Sequence, residues 1–317
     1  MTPIGVMRPS PARRSMSALA ARAPAAMPTV LAGLSGMAAS AWVWRASRSG
    51  EPVARGAVRL ELGVDFSQDQ PFPLSGFRGD LVRLGVIGAR FGLGPSVEFQ
   101  IGGVLGNSLS IRRRQRAPFS DMLTVTGDST SDIGDFLFAT KIKLRGESSA
   151  WPSLSFRIGA ELPNKSNQKG LGTDTNRIFG SLLAGKRFGG TYFFSNLGLA
   201  LIDNPTLVAS QSDKLIYGAA FIQDINGRIR MLGELQGMTG NSHPGAEDTS
   251  QVRFGAQVRA AGLVWDISGL AGLTRADADS GVIFGITRDF QIVKVPGRSQ
   301  SAFRFDSLLF ARKTDLR

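Results

Sequence analysis

The feature that most constrains this chain is an alternation of apolar and polar residues that recurs from residue 56 to residue 291. A period of two residues is the pattern of a β-strand with one apolar face. Residues 58–66 show it most clearly, because Val, Leu, Leu, Val and Phe share one face while Arg, Glu, Gly and Asp share the other. Twelve such segments are present, at residues 56–67, 80–91, 95–106, 133–145, 152–162, 176–187, 191–202, 214–225, 228–238, 250–260, 263–273 and 281–291.

Segment length and the connections between segments indicate a membrane barrel. Most segments have 10–12 residues, whereas strands of soluble proteins average about 5–6 and a tilted strand that crosses a membrane needs about 9–11. Longer connections, including 68–79 and 163–175, alternate with short ones such as 92–94. Outer-membrane barrels have this arrangement of short periplasmic turns and longer outer loops. The sequence therefore predicts an all-β, up-and-down antiparallel transmembrane β-barrel of about 12 strands, with both termini periplasmic. A soluble periplasmic β-protein is the alternative.

Composition excludes several other classes of protein. The 317 residues include no Cys and one His, which excludes a disulfide framework, a Cys-zinc site and a His-rich metal site. No apolar run approaches the roughly 20 residues of a membrane-spanning helix. The formal charge of +12 is concentrated at the two ends of the chain, so the middle offers no basic nucleic-acid face. We therefore expect no cofactor, no bound metal and no nucleic-acid partner.

The amino terminus has the order of an export signal. Arg13 and Arg14 precede a short apolar run at 27–37, and small residues follow at 39–41. A disordered Ala/Pro/Arg-rich tail is the alternative. The predicted organisation is a signal or targeting segment at 1–41, a periplasmic lead-in at 42–55, the barrel at 56–291 and a C-terminal extension at 292–317. The extension is either a periplasmic tail or a frameshifted or read-through segment without a role.

An ordered set of strand and loop elements resembles a known family. The elements are the strand 138–144 (FATKIKL), the turn 161–167 (ELPNKSN), the loop 170–175 (GLGTDT) and the strand element 196–199 (NLGL). They resemble the outer-membrane transporter family called MetA pathway of phenol degradation, over about residues 135–290. The resemblance implies an outer-membrane barrel that transports solutes. It does not imply phenol, because no residue here reports that substrate.

The polar face of the clearest strands is predicted to line the lumen. Its residues are Arg59, Glu61, Asp65, Glu98, Lys141, Lys143, Arg157, Glu161, Arg230, Glu234, Arg253, Gln257 and Arg259. Charges of both signs in a narrow barrel would pair across the interior and plug it. A path with a local cationic bias would instead favour anionic or polar solutes, since a barrel of this size lies between a packed one and an open porin.

The loops hold weaker candidates. The 163–175 loop is either an ordinary hairpin loop or a solute site at the outer mouth, formed by Asn164, Lys165, Ser166, Asn167, Asp174 and Thr175. A run of arginines in the longest loop is either a solvated charge run or a contact for anionic lipid sugars, at Arg112, Arg113, Arg114 and Arg116.

Two further groups could carry chemistry. The acids Asp128, Asp132 and Asp135 surround a turn but lack the ordered spacing of a calcium loop. His243 lies in a loop beside Pro244, a poor place for the base of a Ser/His hydrolase.

These observations predict a bacterial outer-membrane barrel that passes small solutes passively or by facilitated diffusion, and that is not an enzyme. Its expected partners are outer-membrane lipid, an unidentified small solute and the barrel-assembly machinery. The alternatives are a plugged structural or assembly barrel and an outer-membrane hydrolase.

Overall fold

The computed structural model of the chain describes residues 52–207 and 210–293. The predicted targeting segment, residues 42–51 of the lead-in and all but the first two residues of the C-terminal extension lie outside the described residues. The strands are β1 (Ala57–Phe72), β2 (Phe77–Gly92), β3 (Val97–Arg114), β4 (Ser129–Asp132), β5 (Phe136–Arg145), β6 (Ser153–Leu162), β7 (Arg177–Phe188), β8 (Thr191–Asp203), β9 (Gln211–Asp224), β10 (Ile229–Gly240), β11 (Thr249–Ala260), β12 (Leu263–Gly272) and β13 (Ser280–Gln291).

Twelve of these strands close into an antiparallel barrel. Successive strands pair with one another, β3 pairs with β5, and β13 pairs with β1 to complete the circle. The additional strand β4 pairs with the far end of β3. Closure gives the strands partners on both sides, which is what a sheet in lipid requires. The predicted all-β antiparallel barrel of about 12 strands is confirmed.

The alternation read from the sequence separates an apolar outer face from a polar inner face. On β1 the side chains of Leu60, Leu62 and Val64 are exposed outward, whereas Asp65 is 3 % exposed and points inward. Phe254 on β11 is outward and 56 % exposed. An exposed apolar exterior with a buried polar interior reverses the usual arrangement of a soluble protein, and it matches a barrel whose solvent is lipid.

Three features near the start of the barrel differ from expectation. The predicted long loop at 68–79 is wrong: β1 and β2 continue to pair as far as Phe72 and Phe77, which leaves a turn of only residues 73–76. β3 runs to Arg114, well beyond the predicted end at 106. Residues assigned to the following loop form the short strand β4. Long polar strands outside the lipid were not recognised because their apolar alternation ends before their hydrogen bonding does.

A β-bulge at Gly85 breaks the period of two in β2. Between the pairs Gly63–Val86 and Asp65–Arg83, β1 has one residue and β2 has two. Gly85 has φ of 60°, a left-handed conformation that glycine adopts without a side-chain clash. In a regular strand, residues seven positions apart point to opposite faces. The bulge instead puts Arg83 and Arg90 on the same inner face.

The connections define two ends of the barrel. The short-turn end carries the connections at 93–96, 146–152, 189–190, 225–228 and 261–262. The long-loop end carries those at 73–76, 115–135, 163–176, 204–210, 241–248 and 273–279. Within the described residues, no helix has the length and apolarity needed to cross a membrane.

Candidate functional site

The lumen at the short-turn end is filled by ion pairs between neighbouring strands. Arg59 Nε lies 2.6 Å from Asp289 Oδ1, which joins β1 to β13. Arg90 Nη2 lies 2.9 Å from Glu61 Oε1, which joins β2 to β1. These inward positions follow directly from the alternation of their strands.

Glu98 and Lys141 form the deepest pair, with both side chains fully buried and 3.4 Å between Lys141 Nζ and Glu98 Oε1. Glu98 also accepts hydrogen bonds from Gln100 Nε2 and from the backbone amide of Val53, each at 2.5 Å. Val53 precedes β1, so the lead-in reaches an inward-facing residue of β3. The interior of the barrel is therefore narrow at this end.

Other strands of the wall also carry polar and charged side chains inward. Arg177 Nη1 lies 3.2 Å from Glu161 Oε2, and Arg230 Nε lies 2.5 Å from Asp224 Oδ1. The inward residues of β10 and β11 face each other across the strand pair, with Glu234 opposite Arg253 in register. The remaining predicted lining residues, Lys143, Gln257 and Arg259, lie on the same inner face, half-buried or buried.

Apolar packing closes part of the long-loop end of the lumen. Ala246 from the loop 241–248 and Ala276 from the loop 273–279 are almost completely buried. They belong to one cluster with inward residues of the wall, which include Phe179, Ile202 and Met238. Two loops therefore fold into the mouth and contact the inner wall.

A second apolar cluster covers the other side of the same mouth. Leu171 from the loop 163–176 is 0 % exposed and packs with Phe72, Phe77 and Leu109 of β1 to β3. Ser75 Oγ donates a 2.8 Å hydrogen bond to the Gly170 carbonyl, which fixes this loop to the turn 73–76. We call the segments 73–76, 163–176, 241–248 and 273–279 together the loop cover.

A buried lysine helps to attach the loop 241–248 to the wall, together with hydrogen bonds from Thr239 and Gly240 to Asp248. Lys214 Nζ on β9 lies 2.8 Å from Asp248 Oδ1 and 2.8 Å from Ser242 Oγ. Although burial opposes it, bonding to Lys214 holds the pKa of Asp248 below its usual value, with further help from Thr239. The same loop buries Glu247, whose pKa burial raises to about 8.

The six predicted outer-mouth residues are dispersed rather than convergent. Lys165 is buried and pairs with Asp135 at 2.7 Å, and the backbone amides of Asn164 and Lys165 also donate to that carboxylate. Burial raises the pKa of Asp135, but the charge and hydrogen bond of Lys165 outweigh it and hold the pKa below its ordinary value. Ser166 donates its amide to Asp132. Asn167 is half-buried, Thr175 contacts Thr173, and Asp174 is exposed.

The structure also shows the partners of the candidate acids and of His243. Asp132 and Asp135 bind lysines and amides of the loop 163–176, and in the described part of the chain no group of three His, Cys, Asp or Glu side chains could hold a metal ion. His243 Nδ1 lies 3.0 Å from the Pro244 carbonyl and not at Ser242.

The arginine run at the end of β3 is largely neutralised by neighbouring groups. Arg112 pairs with Asp80 and Arg113 with Asp69. Arg114 bonds the carbonyls of Val125 and Gly127, and Arg116 is exposed.

Several inward polar residues escaped the sequence analysis. Arg83 and Arg90 were hidden by the bulge at Gly85. Lys214 was missed because its strand alternates poorly over residues 215–222 (LIYGAAFI), and Asp289 could have been found from the alternation of β13. The described inner face therefore holds more charge than the predicted set.

A closed barrel with an apolar exterior and a charged interior defines an integral outer-membrane β-barrel. In fold the chain is similar to an outer membrane channel from Pseudomonas putida F1, with a TM-score of 0.54 and 15 % identity, over 76 % of this chain and 97 % of that one. It is also similar to the translocator domain of the autotransporter NalP from Neisseria meningitidis, with a TM-score of 0.45 and 11 % identity, over 80 % and 96 % of the two chains. Such identities show the fold alone.

No protein-family model and no curated protein sequence matches the chain, so the resemblance to the MetA phenol-degradation family stays a prediction. The barrel, its lipid-facing exterior and the shared fold place the chain in a bacterial outer membrane, in contact with membrane lipid.

Proposed function

We propose that the chain is an outer-membrane channel for small solutes, closed in this structure by the loop cover. The observation that carries the proposal is the charged inner wall, exemplified by Arg230 and Asp224, whose side chains keep 22 % and 20 % of their exposure inside a barrel with an apolar exterior. Burying charge in a sealed core is costly, whereas charge that lines a water-filled path is not. The loop cover closes the path with side chains of loops, which can move without breaking the barrel.

We further propose that the short-turn end faces the periplasm. In outer-membrane barrels the short turns lie on that side and the longer loops lie outside. The loop cover would then face the exterior of the cell, where an incoming solute first meets the protein.

A plugged structural barrel is the competing function, and the ion pairs at the short-turn end favour it. The two functions differ in conductance. We expect the purified, heat-modifiable barrel to show discrete openings in planar bilayers, with a Lys214→Met variant opening more often because its loop 241–248 is no longer attached through Asp248. A folded barrel that never conducts in either form would establish the structural alternative.

We propose that the barrel is not an enzyme. His243 contacts a proline carbonyl, and Ser242 receives its hydrogen bond from Lys214, so the two residues do not form a nucleophile and base. Any esterase or deacylase activity of the purified barrel that disappears in His243→Ala, with folding intact, would contradict this.

A further inference from the structure

Arg157 on β6 is a buried cation without an acidic partner. Its side chain faces the lumen and is 0 % exposed. Both terminal nitrogens, Nη1 and Nη2, lack a hydrogen-bond partner. An unpaired buried guanidinium is costly, because neither water nor a carboxylate repays its desolvation. Its terminal nitrogens therefore have unused capacity for an anion.

The guanidinium is nevertheless held in one orientation. Arg157 Nε donates a 2.8 Å hydrogen bond to Gln100 Oε1. The guanidinium carbon lies 4.9 Å from the centre of the Phe179 ring. These two contacts involve Nε and one face of the guanidinium, and the Nη1–Nη2 edge is buried without a hydrogen-bond partner. Two parallel donors in a fixed plane match the two oxygens of a carboxylate.

The neighbouring acid is already occupied. Glu98 is the anion whose charge acts on Arg157, but it binds Lys141, Gln100 and the Val53 amide. Glu61 pairs with Arg90 through Oε1, and its other carboxylate oxygen has no hydrogen-bond partner. This part of the lumen therefore has one more cation than it has acids to neutralise it.

Polar groups without partners continue from Arg157 along the wall. Ser181 on β7 is directly opposite Arg157 in register, and its buried hydroxyl has no partner. Asn196 on β8 lies two residues from Gly198, the residue in register with Ser181, and its buried Oδ1 is unpaired. A hydroxyl beside a guanidinium fork supplies a third donor to a carboxylate, and an amide oxygen can accept from a substituent of the same solute.

We propose that Arg157, with Ser181, binds the carboxylate of a small organic acid inside the lumen. The inference rests on the proposed channel function and adds the substrate class. In this proposal Arg157 serves to bind the solute and lowers the stability of the barrel. The ion pairs of the same wall, in contrast, have a structural role.

The test is the thermal unfolding of the full-length barrel in detergent, with sodium acetate compared with sodium chloride at equal ionic strength. We expect acetate to raise the Tm of the wild type in a saturable manner. Arg157→Gln should weaken apparent acetate binding at least about tenfold, and Arg157→Lys should weaken it similarly because the planar fork is lost. Arg288→Gln is the matched control, since Arg288 lies on the outer face of β13, and it should keep the acetate effect.

A second readout distinguishes binding from a structural role. In sodium chloride, Arg157→Gln should unfold at a Tm no lower than that of the wild type, because it removes an unpaired buried charge. A lowered Tm, a failure of Arg157→Gln to fold, an acetate effect that survives in Arg157→Gln, or no acetate effect in the wild type would each overturn the proposal. Acetate binding at Arg157 without any conductance would keep the site and contradict the channel.

Discussion

Lys214 and Asp248 form a 2.8 Å ion pair between the fully buried end of a wall lysine and a half-exposed loop carboxylate. The pair joins the inner face of β9 to the loop 241–248, which places Ala246 in the mouth of the lumen. One attachment of the loop 241–248 is therefore a side-chain contact that can be removed without altering any strand pairing.

Loss of this ion pair should favour the open channel. In Asp248→Asn the loop keeps its shape but loses the charge that holds Lys214. Because Asp248 is about half exposed, the pair is worth roughly 0.5–1 kcal/mol, which corresponds to an increase of about two- to fivefold in open probability. Single-channel recording measures it. Asp174→Asn is the matched control, since Asp174 is an exposed acid of another loop, and it should behave as the wild type.

Closure of the loop cover should weaken as pH rises through the range set by Glu247. Burial raises the pKa of this carboxyl to about 8, against the hydrogen bond from Gly245 and the charge of Lys214, which lower it. The protonated form therefore favours the closed loop. Its contribution is complete below the ordinary pKa of 4.5 and is lost between pH 4.5 and about 8.

We accordingly expect open probability to increase from pH 5 to pH 9, and we expect Glu247→Gln to remove most of that increase. Asp248 has the opposite effect on the open probability. Because its pKa is lowered, Asp248 becomes protonated, and its ion pair with Lys214 is lost, only in acid. A wild-type open probability that falls between pH 5 and pH 9 would contradict the role of Glu247.

Charges on the outer face should prevent insertion. Val64 and Phe254 are exposed toward lipid near the middle of their strands, and an arginine at mid-bilayer costs about 2–4 kcal/mol. Val64→Arg and Phe254→Arg should each reduce the heat-modifiable fraction in purified outer membranes. Leu207→Arg changes an exposed leucine in the loop 204–210 and should assemble normally. Normal assembly of the two strand variants would mean that the inner and outer faces are assigned incorrectly.

Gly170 should be required for the position of the loop 163–176. Its φ of 74° is unfavourable for other residues, and an added Cβ would lie 2.5 Å from the Phe77 ring. Gly170→Ala should strain this loop by about 1–3 kcal/mol and make it more sensitive to protease on intact cells. Gly127→Ala is the control, because a Cβ there would meet nothing within 4 Å. Equal sensitivity of both variants would exclude this packing role.

The barrel was predictable because each membrane-crossing strand separates lipid from a polar interior. Apolar and polar residues therefore alternate along the strand with a period of two. The sixth strand illustrates it, since the predicted 152–162 differs from Ser153–Leu162 by one residue. Outside the lipid the outer face need not be apolar, so the alternation ends. The parts of β1 and β3 nearest the long-loop end and all of β4 were therefore interpreted as loops.

The site was less predictable, for two physical reasons. One bulge reverses the alternation, and Gly85 thereby concealed Arg83 and Arg90. Loop packing has no period at all, so nothing in the sequence indicated that Leu171 and Ala246 enter the mouth. Arg157 was recognised as inward, but its missing partner depends on distances between strands.

The most direct test of the account is labelling of single cysteines in a chain that contains none. Glu234 faces the lumen and Leu235 faces lipid on adjacent positions of β10. We expect Glu234→Cys to react with a membrane-impermeant, charged thiol reagent on intact cells, faster when combined with Asp248→Asn, and Leu235→Cys to remain unreactive. No reaction at Glu234→Cys in either background, while a cysteine at the exposed Asp174 reacts, would contradict a water-filled path through this barrel.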